Sequence, residues 1–256
     1  MIVDTHIHTR FSSDSKMHIN QALQRSEELG IGITLTEHMD LAYPEPDAFT
    51  FDIHQYLTEY GPYRSHKVML GVEIGMRLDC LTENRRLIAA NPFDYVIGSI
   101  HVIENIDIYQ EVFYRERSKQ EVYQQYFAAM AECLSVYECI DTLGHIDYIA
   151  RYARYSDPEL YYSEFAAAID KVLTLTAQHE KAIEINTRRL SSPAAVQALL
   201  PIYQRFYQLG GRLATIGSDA HNADDIGRDF RLAMQLAELS NLKPVYFSQR
   251  RPHYIK

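Results

Sequence analysis

Seven times along this chain a short β-rich run gives way to a stretch with helical spacing, and six of the seven runs end in residues that ligate metals. The runs lead up to His6-Ile-His8, Glu37-His38, Glu73, His101, His145, Asn186-Thr187 and Asp219-Ala-His221. Helical stretches read from His18 to Leu29 (stopped by Gly30), 52–60, 82–90, 118–137, 157–178, 193–208 and 225–239. Val122, Tyr126, Ala129 and Cys133 share a helical face, and Asp157-Pro158 supplies an N-cap followed by a first-turn proline. Strict alternation of this kind predicts a parallel sheet with helical crossovers. In an open sheet only the strands beside the switch point reach one site, whereas in a barrel all strand C-termini converge on one mouth. A closed or nearly closed barrel therefore suits polar residues at so many strand ends. No linker interrupts the pattern, so residues 1–256 are expected to form a single α/β domain, with the tail from Lys243 peripheral to it.

A chain of 256 residues, 46% of them hydrophobic, has enough apolar surface to bury a sizeable core. Its 25 Lys and Arg against 34 Asp and Glu give a net charge of −9, which argues against nucleic acid as a partner. Cys80, Cys133 and Cys139 are odd in number and lack Cys-x-x-Cys spacing, the pattern of thiols in a reducing compartment. No apolar run reaches membrane-spanning length, and the first strand leaves no room ahead of it for a signal peptide. These features set the expectation of a cytoplasmic protein with no membrane partner. Composition carries no signal for oligomeric state.

On an extended strand residues i and i+2 point the same way, so His6 and His8 aim two imidazoles at one point. His38, Glu73, His101, His145, Asp219 and His221 join them from later strand ends, and Asp14 lies in the first loop. The remaining histidines, His18, His54, His66, His179 and His253, fall in helices, loops or the tail. Six histidines and three carboxylates exceed the needs of one zinc ion, which takes three protein ligands and water at a catalytic site. Two or three divalent ions, about 3.5–4 Å apart and bridged by carboxylate, would use them all. Zn, Mn and Fe all accept mixed imidazole and carboxylate ligands.

His6-x-His8 with Asp14, Glu37-His38, Gly71-Val-Glu73, Gly98-Ser-Ile-His101, Gly144-His145 and Gly217-Ser-Asp219-Ala-His221 together resemble the successive motifs of the PHP (polymerase and histidinol phosphatase) superfamily. The resemblance spans Met1 to about Leu239. It implies a distorted (β/α)7 barrel, a di- or trinuclear metal centre and phosphoesterase chemistry. Carried over motif by motif, the implied ligands are His6, His8, Asp14, His38, Glu73, His101, His145, Asp219 and His221. Glu37 departs from the Asp that often precedes the His, at a position expected to lie behind the ligands. Within the superfamily, Phe93–His101, His145–Tyr152 and Glu184-Ile-Asn-Thr187 resemble the stand-alone histidinol-phosphate phosphatases, which implies hydrolysis of L-histidinol phosphate in histidine biosynthesis.

A small phosphorylated substrate carries nearly two negative charges at neutral pH and calls for arginine, whose planar fork pairs two oxygens at once. Arg151 and Arg188 are the candidates, with Arg154, Arg189 and Arg10 in reserve, and Asp219 is a candidate for proton handling as well as metal binding. The amine and imidazole of histidinol phosphate would be met by Glu104, Asp107 or Glu111, under a lid formed by Tyr109, Phe113 and Tyr114. Two alternatives stand beside this reading: a PHP phosphoesterase acting on a nucleotide, sugar phosphate or phosphotyrosyl protein, and a catalytically silent metal-binding module. An amidohydrolase barrel is disfavoured by the seven runs and by the lack of a strand-end lysine.

Overall fold

Each β-rich run forms a strand in the computed structural model, which describes residues 1–255. In chain order the elements are β1 (Val3–Ile7), α1 (Ile19–Leu29), β2 (Gly32–Met39), α2 (Ile53–Tyr60), β3 (Val68–Gly75), α3 (Leu81–Ala90) and β4 (Tyr95–Ser99). A two-stranded hairpin follows, β5 (Val102–Ile103) and β6 (Ile106–Asp107), then α4 (Lys119–Leu134), β7 (Thr142–Leu143), α5 (Tyr148–Tyr152) and α6 (Tyr162–Gln178). The chain continues with β8 (Ala182–Asn186), α7 (Pro193–Gln208), β9 (Leu213–Gly217), α8 (Phe230–Leu239), β10 (Lys243–Ser248) and β11 (Arg251–Tyr254).

One sheet takes the order β1-β2-β3-β4-β7-β8-β9-β10-β11, parallel throughout until β11 turns back antiparallel on β10. Every residue of β1 to β4 and of β8 is buried, as expected for parallel strands covered on both faces. The first and last members of the seven-strand series meet as well. Ile7 forms a parallel bridge with Ala220; the His8 N–H donates to Ala220 O at 2.9 Å and the Ala220 N–H to His6 O at 3.3 Å. The Asp4 carboxylate fastens this seam by accepting from the N–H groups of Ser218 and Gly227, both at 2.9 Å. The main core lies between sheet and helices, and a second cluster gathers Tyr95, Ile97, Ala182, Val245 and Phe247. No helix of the described residues is long and apolar enough to cross a membrane.

Two expectations are corrected. The helix predicted from Asp157 starts only at Tyr162. Arg189 pairs with buried Glu159 at 2.7 Å and the Tyr123 hydroxyl donates to Pro158 O, so long-range contacts hold the segment out of the helix despite its capping signal. The tail from Lys243 is not peripheral. β10 joins the sheet beside β9, Val245 and Phe247 are buried, and Phe247 stacks on Tyr95 at 5.3 Å between centroids. The β10–β11 turn is tied down in turn, with the Gln249 N–H donating to Asp94 Oδ1 at 3.0 Å and Arg250 Nε to Asp141 Oδ2 at 2.5 Å. Phe247→Ala is expected to cost about 3 kcal/mol, the lower range for deleting a buried aromatic ring. Urea unfolding checks this, and an unchanged midpoint would return the tail to the periphery.

Candidate metal centre and substrate cavity

The strand series delivers the predicted residues to one place. His6 lies on β1 with His8 just beyond it, His38 on β2 and Glu73 on β3. His101, His145 and Asp219 each follow their strand by two residues, with His221 two residues further. Parallel pairing sets His38 beside Glu73. Glu73, with no exposed surface, is the hub: its Oε2 lies 3.2 Å from His6 Nε2, 3.5 Å from His8 Nε2 and 2.9 Å from His38 Nδ1. Its Oε1 lies 2.8 Å from His145 Nε2 and 3.3 Å from His101 Nε2. Asp219 Oδ1 stands 3.5 Å from His8 Nε2, while Asp14 Oδ2 lies 2.9 Å from His221 Nε2 and 3.6 Å from His38 Nε2. All nine predicted donors therefore converge. Asp219 itself sits at φ 55°, a left-handed conformation that Asp tolerates better than most residues, and the turn aims its carboxylate back at β1.

The donor set fits metal ions better than it fits hydrogen bonds. His6 Nε2 and His8 Nε2 face each other at 2.9 Å. Glu73 Oε2, His38 Nδ1 and His101 Nε2 are buried with no aligned hydrogen-bond partner among the described residues, although carboxylate and imidazole atoms crowd within 3.3 Å. Such orphaned atoms are rare in native interiors unless an ion or water belongs among them. Four groups of three donors lie within 4.8 Å of one another: His8, His38 and His221; His6, Glu73 and His145; His6, His8 and Asp219; and His38, Asp40 and His101.

A further layer holds the imidazoles. Glu184 Oε1 accepts from His6 Nδ1 at 2.6 Å, and Ser12 Oγ, which donates to Glu37 at 2.7 Å, meets His8 Nδ1 at 3.0 Å. Glu37 is thus behind the ligands, as expected. A Cβ at Gly217 would come within 2.4 Å of His6 Cβ and 2.5 Å of Glu184 Oε1, so glycine is what allows β9 to close on this pair. Asp40 and Glu184 were missed as site residues. Asp40 had a signal, since it stands two residues after His38 and an i, i+2 pair at a strand end faces one way.

The electrostatics follow from this crowding. Burial opposes charge on Glu73, yet His6, His101 and His38 outweigh it and hold the carboxyl well below its usual range. Burial likewise opposes charge on Asp219, and Arg151 and His6 overcome it. Burial disfavours protonated His6, but Glu184, Glu73 and Asp219 push its pKa well up. His38 is pushed up to about 10 by Glu73 and Asp14 against the effect of burial. His8 goes the other way, held well below its usual value by burial and by the charges of His38, His221 and His6.

Above the cluster opens a cavity of about 610 Å3 whose wall includes Arg151 and Arg188. Arg151 donates to Asp219 Oδ2 at 2.7 Å and to Asn186 Oδ1 at 3.2 Å, and its Nε is buried without a partner among the described residues. Arg188 donates to Asp219 O at 2.7 Å. The reserve arginines do not line the cavity: Arg10 pairs with Glu59, Arg189 is taken up by Asp147 and Glu159, and Arg154 faces solvent. Of the three acids foreseen in the loop after His101, only Asp107 reaches the cavity. Glu104 sits on the exposed β5–β6 turn at φ 50° and Glu111 faces solvent. Of the foreseen lid, Tyr109 lines the cavity, whereas Phe113 and Tyr114 are core residues, the Tyr114 hydroxyl donating to Ile108 O at 2.8 Å. Apolar packing beneath the hairpin claimed both rings. Tyr43, whose hydroxyl contacts Asp107, adds an unforeseen wall residue.

The fold and this site define a PHP protein: the PHP domain family matches residues 4–188, and the chain belongs to it. Among curated relatives, a probable histidinol-phosphatase from Clostridium acetobutylicum is 49% identical, covering 99% of this chain and 100% of its own. The histidinol-phosphatase of Lactococcus lactis is 32% identical over 86% of this chain and 84% of its own. The crystal structure of histidinol phosphate phosphatase from Lactococcus lactis, complexed with zinc, L-histidinol and phosphate, has a TM-score of 0.92 at 30% identity and covers 98% of both chains.

Because Glu73 and Asp14 push His38 up to about 10, His38 is expected to hold a proton at pH 7 in the metal-free chain, which a metal ion must displace. Zinc loading at pH 7 is therefore expected to release at least one proton per chain, with affinity rising as pH increases from 6 to 8. Calorimetry in two buffers of different ionisation enthalpy measures the release; none at all would remove His38 from the ligand set.

Proposed function

We propose that this chain hydrolyses L-histidinol phosphate to L-histidinol and phosphate, with two or three divalent ions (Zn, Mn or Fe) held by His6, His8, Asp14, His38, Glu73, His101, His145, Asp219 and His221. The gathering of these nine donors in one cluster, with five imidazoles on buried Glu73 and a cavity walled by Arg151 and Arg188 beside it, carries the reading. The identity to histidinol-phosphatases over whole chains supports the substrate. We further read residues 1–256 as one domain with the strands closed into a distorted (β/α)7 barrel, a closure supported by the Ile7–Ala220 bridge. Three free cysteines support a cytoplasmic location.

Divalent ions in this cluster supply Lewis-acid catalysis of phosphoester hydrolysis. The chain's own residues do the rest. Arg151 and Arg188 offer guanidinium N–H groups on the cavity wall to phosphoryl oxygens, charge-assisted bonds that strengthen as charge builds in the transition state. Asp219, kept ionised by Arg151 and His6, accepts hydrogen bonds and does not serve as an acid. At the other end of the cavity buried Asp107, oriented by the Tyr109 N–H at 2.7 Å, meets the cationic end of the substrate, with Glu45 at the rim.

Phosphate release from L-histidinol phosphate, beside nucleotide, sugar and aryl phosphates and with Zn-, Mn- or Fe-loaded protein, tests the assignment. A higher kcat/KM for a nucleotide or aryl ester would keep the phosphoesterase and discard the substrate. Asp219→Asn is expected to lower kcat by more than about a hundredfold. Arg151→Ala is expected to lower kcat/KM by about ten- to a hundredfold, the loss of a charge-assisted hydrogen bond. Asp107→Asn should raise KM for histidinol phosphate by about tenfold and leave that of an aryl phosphate with no cationic group unaffected; equal effects on both esters would remove Asp107 from substrate recognition.

A further inference from the structure

We infer that Asp40 is a positioning residue of the metal centre, holding His101 with its Nδ1 protonated so that Nε2 is a free donor aimed at Glu73. The inference rests on the metal-binding part of the function proposed above. The β2–β3 register pairs His38 with Glu73 and Met39 with Ile74, which brings Asp40 alongside Gly75, itself the partner of Ser99 on β4. A Cβ on residue 75 would lie 2.1 Å from Asp40 Oδ1 and 2.7 Å from its Cγ, so only glycine lets the carboxylate lie across β3. From there Asp40 Oδ1 accepts from His101 Nδ1 at 2.8 Å. The backbone of Asp40 is pinned as well, its N–H donating to Phe49 O at 2.8 Å and its carbonyl accepting from the Tyr43 N–H at 3.2 Å.

With Nδ1 as donor, His101 Nε2 carries a lone pair. That atom is buried without a hydrogen-bond partner among the described residues, 3.3 Å from Glu73 Oε1. Glu73 Oε1 is an acceptor too, and it already receives the Ser99 hydroxyl at 2.6 Å. Two acceptors facing each other in a buried site need a cation between them, a proton in the metal-free chain and a metal ion in its place. The second oxygen of Asp40 is also buried and unpartnered among the described residues, 3.7 Å from His38 Nδ1, so one carboxylate stands behind imidazoles from two strands. A carboxylate behind a ligating imidazole fixes its tautomer and raises its basicity.

Three variants test this: Asp40→Ala, Asp40→Asn and Gly75→Ala, which displaces the carboxylate without touching a predicted ligand. Zinc affinity is read by competition with a chromogenic chelator. Proton NMR of the cobalt-loaded protein reads the hyperfine-shifted N–H signal that His101→Gln removes. Asp40→Ala and Gly75→Ala are expected to lose that signal and to bind zinc about 10- to 100-fold more weakly. Asp40→Asn, whose amide oxygen still accepts from Nδ1–H, should keep the signal with a smaller loss of affinity. Wild-type affinity and signal in Asp40→Ala overturn the inference; should that variant fail to fold, the same result in Gly75→Ala overturns it. A wild-type chain that binds no zinc instead sinks the metal assignment of the proposed function.

Discussion

Glu73 is an ionised carboxylate with no exposed surface, and the rest of the site is arranged to make that tolerable. A buried charge left unpaired costs several kcal/mol, so the centre of this sheet requires positive charge. Five imidazoles supply the surroundings, at 2.8–3.5 Å, from β1, β2 and the segments after β4 and β7. In the metal-free chain protons on His6 and His38 provide the counter-charge. Divalent ions held by the same residues would provide it more compactly, between nitrogens that face each other at 2.9 Å on His6 and His8. Metal loading at this cluster would for this reason be coupled to folding. The strands that define the fold are the ones whose ends carry the mutually repelling groups, and an ion bound to the folded form alone stabilises it by mass action.

The parallel sheet answers the geometric side of the same problem. Side chains at strand ends sit on a scaffold hydrogen-bonded on both sides, which fixes them better than loops do. Where the strands run out, other groups take over. His101 and His145 lie two residues beyond their strands, and the Asp40 carboxylate and the Glu184 contact with the His145 N–H at 2.8 Å hold those segments. The seam between β1 and β9 is fastened in the same manner by Asp4, a buried carboxylate whose pKa is raised to about 6 by burial despite the N–H groups it accepts from.

Metal-type residues were legible in the sequence because all but Asp14, which lies in the first loop, stand at or just beyond the end of a β-rich run, and the fold brings the runs together. The strand–helix order was legible for the same reason. What escaped depends on contacts between distant segments. Asp157-Pro158 carries a good capping signal, yet Glu159 is claimed by Arg189, thirty residues away, and the helix begins later. The tail shows alternating burial at Val245 and Phe247, a strand signal, but its place in the sheet is set by Tyr95, Asp94 and Asp141, which no local pattern reveals. Phe113 and Tyr114 read as loop aromatics, and whether such a ring covers a cavity or fills a core is decided by packing alone.

The cavity divides its labour between two kinds of structure. In the proposed function the phosphate side is made by strand ends and by Arg151 and Arg188, which are tied to Asp219, so substrate phosphate and the metal cluster would share one frame. The opposite wall comes from loop and short-helix segments: Tyr43 and Phe49 after β2, Asp107 and Tyr109 beside the β5–β6 hairpin, and Tyr152 on α5. Tyr109 packs edge-on to Tyr152 at 5.1 Å and the Tyr43 hydroxyl contacts Asp107, so these segments brace one another, and Phe49 also packs edge-on to His38 at 5.3 Å. Loops tolerate substitution far better than a buried sheet does. A change of leaving group would therefore need replacements only in this outer wall, with Glu73 and its histidines untouched. In the function proposed for this chain, buried Asp107 and the aromatic rings of that wall meet the amine and imidazole end of the ester, and the strand ends meet its phosphate.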